Sequence, residues 1–277
     1  MKFSVLRFAV SCKHLTEMLL TGAVWQRFEN WKAVVRLYLP TGCGAEQVTL
    51  RLRSGGSIIV RSASNDAWAV HEIFLRNDYK LSSFSLGNSP LIVDIGGNIG
   101  LFAICALQRW PASRILTFEP EPSNFKLLRT NIEKNCFQDR VTAVEMAVSA
   151  EQATVSLHLS PSNVGGHSLV ASHQSTRKLA VAATTLTDIL QRSGQDRIDL
   201  LKLDCEGSEF PILYNCPGRT LAKIKNLAIE FHDFSGGPAR HTGANLASYL
   251  REKGFRVGLR RSLTGTTGYL HCTRAVE

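Results

Sequence analysis

Two short runs of this 277-residue chain carry ionisable groups at spacings suited to moving a proton. One is Leu201-Lys202-Leu203-Asp204-Cys205-Glu206-Gly207; the other is Ala228-Ile229-Glu230-Phe231-His232-Asp233. Each begins as an apolar strand. A strand alternates its side chains, so Lys202, Asp204 and Glu206 share one side, and Glu230 and His232 share a side of theirs. A hydroxyl is a poor nucleophile until a base takes its proton, and His232, Asp204 or Glu230 is suited to that task. Lys202 would hold an adjacent carboxylate in its charged form. Asp204, Glu230 and His232 are also a donor set for a divalent metal, which would acidify the hydroxyl directly, although the sequence assigns none. Polar residues after strands often serve only as caps. Four acids, a lysine and an imidazole reaching one sheet edge make a candidate reaction centre.

A second stretch supplies the other half of a reaction. Leu91-Ile-Val-Asp-Ile-Gly-Gly-Asn-Ile-Gly100 runs from an apolar strand through an acid into a glycine-rich turn, and a helix-like segment follows from Leu101 to Arg109. Gly96, Gly97 and Gly100 let the backbone approach a ligand where a β-carbon would clash. A dinucleotide fingerprint needs three glycines, and here its first place holds Ile95. A phosphate loop would need Gly-Lys-Ser/Thr, which is missing. The pattern fits the Asp-x-Gly-x-x-x-Gly signature of S-adenosylmethionine (SAM) enzymes, led by Asp94, with Asn98 inside the turn. Glu119 ends the next apolar run, Arg114 to Phe118, 25 residues after Asp94. A carboxylate there suits ribose hydroxyls.

Those residues need strands that end together. From residue 91 onward apolar strands alternate with helical patterns: strands at 91–95, 114–118, 141–146, 198–203 and 227–231, then a closing pair around a Thr/Gly turn. Helices are expected after Pro122, from Thr185, from Pro211 and over Leu246 to Lys253. A β-pair at 154–159 and 179–183 flanks a polar loop, Ser160 to Ser168, placed to cover a site. Such alternation requires an α/β fold with a doubly wound, mostly parallel seven-stranded sheet. Ahead of it lies an N-terminal extension: a helical region over residues 1 to about 40, a break at Pro40, Gly42 and Gly44, a hairpin of Val48–Arg53 with Ser57–Arg61, and a helix from Asp66 to Asn77. The division expected is 1–80 for the extension and 81–277 for the sheet domain.

Composition narrows the partners. The formal charge is +9, but no basic run or aromatic stripe concentrates it, so a nucleic-acid partner is not expected. Seven cysteines stand without a zinc-type or paired spacing, which points to free thiols in a reducing compartment. The chain has no apolar run of membrane-spanning length, and Lys13, His14 and Glu17 interrupt the mildly apolar start, so a cytoplasmic protein is expected.

Taken together, Val93-Asp-Ile-Gly-Gly-Asn-Ile-Gly100, Phe118-Glu-Pro, Thr185-Leu-Thr-Asp188, Leu201-Lys-Leu-Asp-Cys-Glu-Gly-Ser-Glu209 and Ile229-Glu-Phe-His232 resemble the FkbM-type SAM-dependent methyltransferases. The Lys-x-Asp-x-Glu-Gly-x-Glu box is the more specific part, and the match runs from about Asn77 to Phe234. The resemblance implies a class I methyltransferase fold, SAM contacts through Asp94 to Gly100 and Glu119, and O-methylation of a saccharide or natural-product hydroxyl. Cys205 departs from the aliphatic residue usual there. A nucleic-acid methyltransferase and a SAM-binding protein without catalysis are the other readings.

Overall fold

The computed structural model describes residues 16–274 apart from 19, 40–45, 63, 161–165, 171–176, 234–237 and 263–264. Part of the first helical stretch (residues 1–15 and Leu19), the expected break at Pro40, Gly42 and Gly44, and the centre of the polar loop lie outside the described residues.

The hairpin expected in the N-terminal region forms. Short helices α1 (Ala23–Arg27) and α2 (Trp31–Leu37) precede strands β1 (Gln47–Arg51) and β2 (Ser57–Arg61), which pair antiparallel with Arg51 opposite Ser57. Leu50 and Leu52 are buried while Arg51 and Arg53 face solvent, as the alternation requires. Helix α3 (Asp66–Val70) widens into a π-helical segment, His71–Arg76, and stops at Asn77, whose φ of 51° ends the helical path.

The larger part is built on β3 (Leu91–Ile95), α4 (Leu101–Arg109), β4 (Arg114–Phe118), α5 (Pro122–Lys134) and β5 (Val141–Val144). The expected strand over 141–146 is shorter: the chain leaves the sheet after Val144, and β6 (Ala147–Val148) pairs instead with β8. Strands β7 (Ala153–Leu159) and β8 (Arg177–Thr184) are the inserted antiparallel pair, which β6 extends to a three-stranded sheet. Then come α6 (Leu186–Ser193), β9 (Leu200–Leu203), α7 (Glu209–Tyr214), α8 (Gly218–Leu221), β10 (Asn226–His232), α9 (Gly243–Glu252), β11 (Phe255–Arg261) and β12 (Thr267–Arg274). Side-chain caps set several helix starts: Glu121 accepts the Asn124 N–H before Pro122, and Thr185 accepts the Asp188 N–H. Among the described residues no helix is long and apolar enough to cross a membrane.

The seven main strands order as β11-β12-β10-β9-β3-β4-β5, with β12 antiparallel to its neighbours. Helices cover both faces, so the central strands are apolar on both sides. Val93, Ile95, Leu201 and Leu203 join the core under α6 to α9; Ile92, Leu200 and Ala228 join the core under α4 and α5. Asp94, Lys202 and Glu230 follow the second set by parity. Register aligns them, because Asp94 is opposite Lys202, and Lys202 is opposite Ala228.

The extension is not a loose appendage. Its core, including Phe28, Leu50, Val60 and Phe74, continues into Ile99, Leu101, Ile104 and Leu127 of the sheet domain. Two asparagines one turn apart on α5 imitate a neighbouring strand. Asn131 accepts the Ile59 N–H at 2.7 Å and donates to Ile59 O at 3.0 Å and Ile99 O at 2.9 Å. Asn135 likewise accepts from Ser57 N at 2.9 Å and donates to Ser57 O at 2.7 Å. Removing the fully buried Asn131 side chain leaves backbone groups of β2 without partners. Asn131→Ala is expected to lower stability by about 2–4 kcal/mol, measured by urea unfolding; a loss under about 0.5 kcal/mol would mean that water replaces the amide.

Candidate active site

The glycine turn is shaped by close approach. Gly96 has φ +79°, and a β-carbon there would land on the Asp204 carbonyl oxygen. At Gly97 it would strike the Thr117 hydroxyl and Leu128. Both N–H groups donate to Phe118 O, at 3.1 and 2.9 Å, pinning the turn to the end of β4. Gly100, with φ +86°, starts α4. Asp94 is fully buried beneath the turn: Thr117 Oγ1 donates to it at 2.9 Å and Lys202 Nζ lies 3.2 Å away.

Glu119 sits where the sequence places it, at the end of β4. Its two oxygens accept the N–H groups of Asn98 at 2.8 Å and Glu121 at 2.9 Å, and the Asn124 side chain also hydrogen-bonds to the carboxyl. Burial pushes its carboxyl up to about 7, against the pull of those two N–H donors. Asn98 Oδ1 is buried without a hydrogen-bond partner among the described residues. Gly96, Asn98, Phe118, Glu119, Met146 and His167 line one cavity.

A second cavity, of about 330 Å³, opens on the other side of the turn. It gathers the predicted Lys202, Asp204, Glu206, Glu230 and His232, and adds Glu72 and Tyr79 from the extension. Gly96, Asn98, Asp204 and Glu206 line both cavities, so a thin wall separates them. Asp94 and Gly100 line neither of the two. Their part is to hold the turn.

Lys202 Nζ donates to Gly96 O at 2.7 Å and Ile95 O at 3.3 Å, and lies 3.7 Å from Asp204. Burial would lower its pKa, but Asp94 and then Asp204 raise it to about 12. The Tyr79 hydroxyl lies 2.8 Å from Asp204 Oδ2 and 3.3 Å from Glu230 Oε2. Tyr269, the register partner of Glu230, donates to its other oxygen at 3.1 Å. Glu230 is held well above the usual carboxylate range by burial, then by Glu72 and Asp204. Burial likewise pushes Glu72 up to about 8 and Glu206 up to about 7, Asp204 adding to both. Burial opposes a charge on His232, but Glu206, Glu209 and Glu230 outweigh it and hold the imidazole well above 6.5. Its Nε2 lies 3.5 Å from Glu206 and its Nδ1 3.4 Å from Glu209.

Sequence reasoning did not select Glu72, Tyr79, Glu209 or Tyr269. Glu209 stood in the last place of the Lys-x-Asp-x-Glu-Gly-x-Glu box, and its spacing was the available signal. Fully buried, it accepts the Cys205 and Gly207 N–H groups, both at 2.8 Å, which fixes the turn after β9. Glu72, Tyr79 and Tyr269 carry no local signature.

Comparison with known proteins identifies the family. The model of the methyltransferase FkbM domain matches residues 94–257, more than half of the chain. The chain belongs to the FkbM methyltransferase family. It is 27% identical over 215 residues to methyltransferase sdnD of Sordaria araneosa, covering 67% of this chain and 80% of that one. It is 26% identical over 238 residues to the 31-O-demethyl-FK506 methyltransferase FkbM of Streptomyces tacrolimicus, covering 76% and 89% respectively. The crystal structure of methyltransferase FkbM from Methylobacillus flagellatus KT superposes with a TM-score of 0.48 at 14% identity, covering 91% of this chain and 57% of that longer one.

The raised carboxyls of this FkbM-family site make stability depend on pH. Glu119 and Glu72 keep protons in the folded state up to about 7 and about 8, whereas an unfolded carboxyl releases its proton near 4.5. Between those values the folded chain binds more protons, so unfolding becomes easier as pH rises. The melting temperature of the ligand-free protein is expected to fall from about pH 5 to about pH 8, and Glu119→Gln to flatten part of that fall. A melting temperature that climbs over the same interval would refute the assignment.

Proposed function

We propose that this protein transfers a methyl group from SAM to a hydroxyl oxygen of a saccharide or natural product. The observation that carries the reading is the pair of cavities meeting at Gly96, Asn98, Asp204 and Glu206. One is built to receive a nucleoside, the other to receive a hydroxyl.

The donor side fits SAM. Glu119 stands at the cavity as an acceptor for a ribose hydroxyl, Phe118 and Met146 offer apolar walls, and Asn98 presents a buried oxygen unpaired among the described residues. The turn leaves no room for a side chain at Gly96 or Gly97. When bound, SAM supplies a methyl group on a positively charged sulfur, and the electron pair of the broken C–S bond stays on that sulfur. The protein's own work is alignment and proton removal. Asp204 stands at the shared wall, positioned by Tyr79 and Lys202. Glu230 and His232 line the acceptor cavity, and the hydroxyl proton passes to a carboxylate of this cavity as the oxygen–carbon bond forms.

The acceptor side supports a small neutral or cationic molecule. Glu72, Asp204, Glu206 and Glu230 line it, and a nucleic-acid phosphate would be repelled. Two relatives carry O-methylation in their names: the 31-O-demethyl-FK506 methyltransferase, and the 2-O-methyltransferase NoeI of Sinorhizobium fredii, 27% identical over 161 residues. In this reading residues 1–80 are an extension that walls the acceptor cavity, and 81–277 the transferring domain.

Incubation with methyl-labelled SAM and separated saccharide, small-molecule, lipid and RNA pools tests the proposal. Label is expected in an ether of the saccharide or small-molecule pool; label confined to RNA would overturn it. Glu119→Gln should weaken S-adenosylhomocysteine binding at least about ten-fold by calorimetry. Glu230→Gln should leave that affinity unchanged and lower kcat by about 10²-fold or more. Unchanged turnover in Glu230→Gln would remove that residue from the proton path.

A further inference from the structure

We propose that Asp204, Glu230 and His232 form a divalent-cation site at the carboxyl ends of β9 and β10, each giving one ligand atom. The inference rests on the acceptor cavity described above and names what activates the hydroxyl there. Ligand atoms of these three side chains all lie within 4.8 Å of one another. Around a small dication with bonds of about 2.1 Å, adjacent ligands are about 3 Å apart and opposite ligands about 4.2 Å. A pair at that limit draws in by about 0.6 Å to sit opposite and by more to sit adjacent, so the three side chains close around the ion as it binds.

Their surroundings point the same way. Tyr269 donates to Glu230 Oε1, and the Tyr79 hydroxyl, with a single proton to give, lies between Asp204 Oδ2 and Glu230 Oε2, so each carboxylate keeps lone pairs for a cation. His232 turns Nδ1 to the fully buried Glu209, the carboxylate–imidazole pairing that ordinarily orients a metal-binding histidine. Nε2 is then the ligand nitrogen. Without a cation, a proton on Nε2 faces Glu206 at 3.5 Å; the cation takes that place.

Lys202 does not supply the missing positive charge. Its ammonium is committed to Asp94 and the carbonyls of Ile95 and Gly96. Two carboxylates with an imidazole favour a manganese-class ion over magnesium. The cavity of about 330 Å³ leaves room for water ligands and for the acceptor. Two adjacent acceptor oxygens would complete the coordination, so the substrate class is a vicinal diol. The cation lowers the pKa of the hydroxyl it holds. The proton passes to Glu206, the freed oxygen bonds to the methyl carbon, and the C–S electron pair returns to sulfur.

Titration of the purified protein with manganese(II) chloride, read by electron paramagnetic resonance, tests this. One saturable site per chain is expected, weakened at least ten-fold in Glu230→Gln and Asp204→Asn and unchanged in Glu119→Gln. The spin-echo spectrum of bound manganese should show nitrogen modulation that disappears in His232→Ala. Absence of saturable binding overturns the proposal, and so does bound manganese without nitrogen coupling; both are read on the unaltered protein. Undiminished affinity in a folded Glu230→Gln variant also overturns it. Calorimetry with S-adenosylhomocysteine separates the two readings. Nucleoside binding without manganese removes the cation and keeps the donor site, and manganese binding without nucleoside does the reverse.

Discussion

The ammonium of Lys202, only 3% exposed, ties the site together from beneath. Burying an unpaired charge costs several kcal/mol, roughly enough on its own to erase much of a domain's stability. Here its donors are consumed by the carbonyls of Ile95 and Gly96 and by Asp94, with Asp204 next to it. The ammonium thus joins β3, the glycine turn and the end of β9. The turn cannot lift away without stranding a buried cation. Tyr79 and Phe102 close over it, their ring centres 5.7 and 5.8 Å from Nζ. The two cavities therefore share one rigid wall.

What lies above that wall is unbalanced by design of the fold. Glu72, Asp204, Glu206 and Glu230 crowd one cavity, and each raises the cost of ionising its neighbours. Glu206 also sits at φ 53°, a conformation that L residues other than glycine adopt at some cost, held there by the turn that Glu209 anchors. Strain and like charge cluster at the same place. A positively charged ligand relieves the repulsion and gains affinity from it. That ties the stability of the protein to the occupancy of its site.

The extension completes this arrangement by covering a cavity that the sheet alone would leave open. Its π-helical segment carries Glu72, and Asn77 turns the chain so that Tyr79 reaches Asp204 and Glu230. The α5 asparagines hold the hairpin in register with the sheet domain. A displacement of the hairpin would be felt at the cavity lined by Glu72 and Tyr79 through this shared core.

Strand–helix alternation, the glycine turn, Glu119 and the acid clusters were legible in the residues because each depends on local spacing. Period-two alternation placed Lys202 beside Asp204 correctly, and a β-carbon at Gly96 is excluded by the backbone path itself. The early exit of the chain at Val144 was not legible, because Ala147 and Val148 are as apolar as a main-sheet strand, and only pairing with β8 distinguishes them. Nor was the partnership of Glu230 with Tyr269 and Tyr79, which are 39 and 151 residues away along the chain. Contacts of that separation arise from sheet order and packing, which no local pattern encodes. The sequence by itself determined the elements, the glycine turn and which acids end which strands, since these follow from periodicity and backbone sterics. Tertiary structure alone decided that Asp94 lies under the turn, that Glu209 orients His232, and that the extension closes the cavity, because each depends on surfaces meeting after the chain has folded.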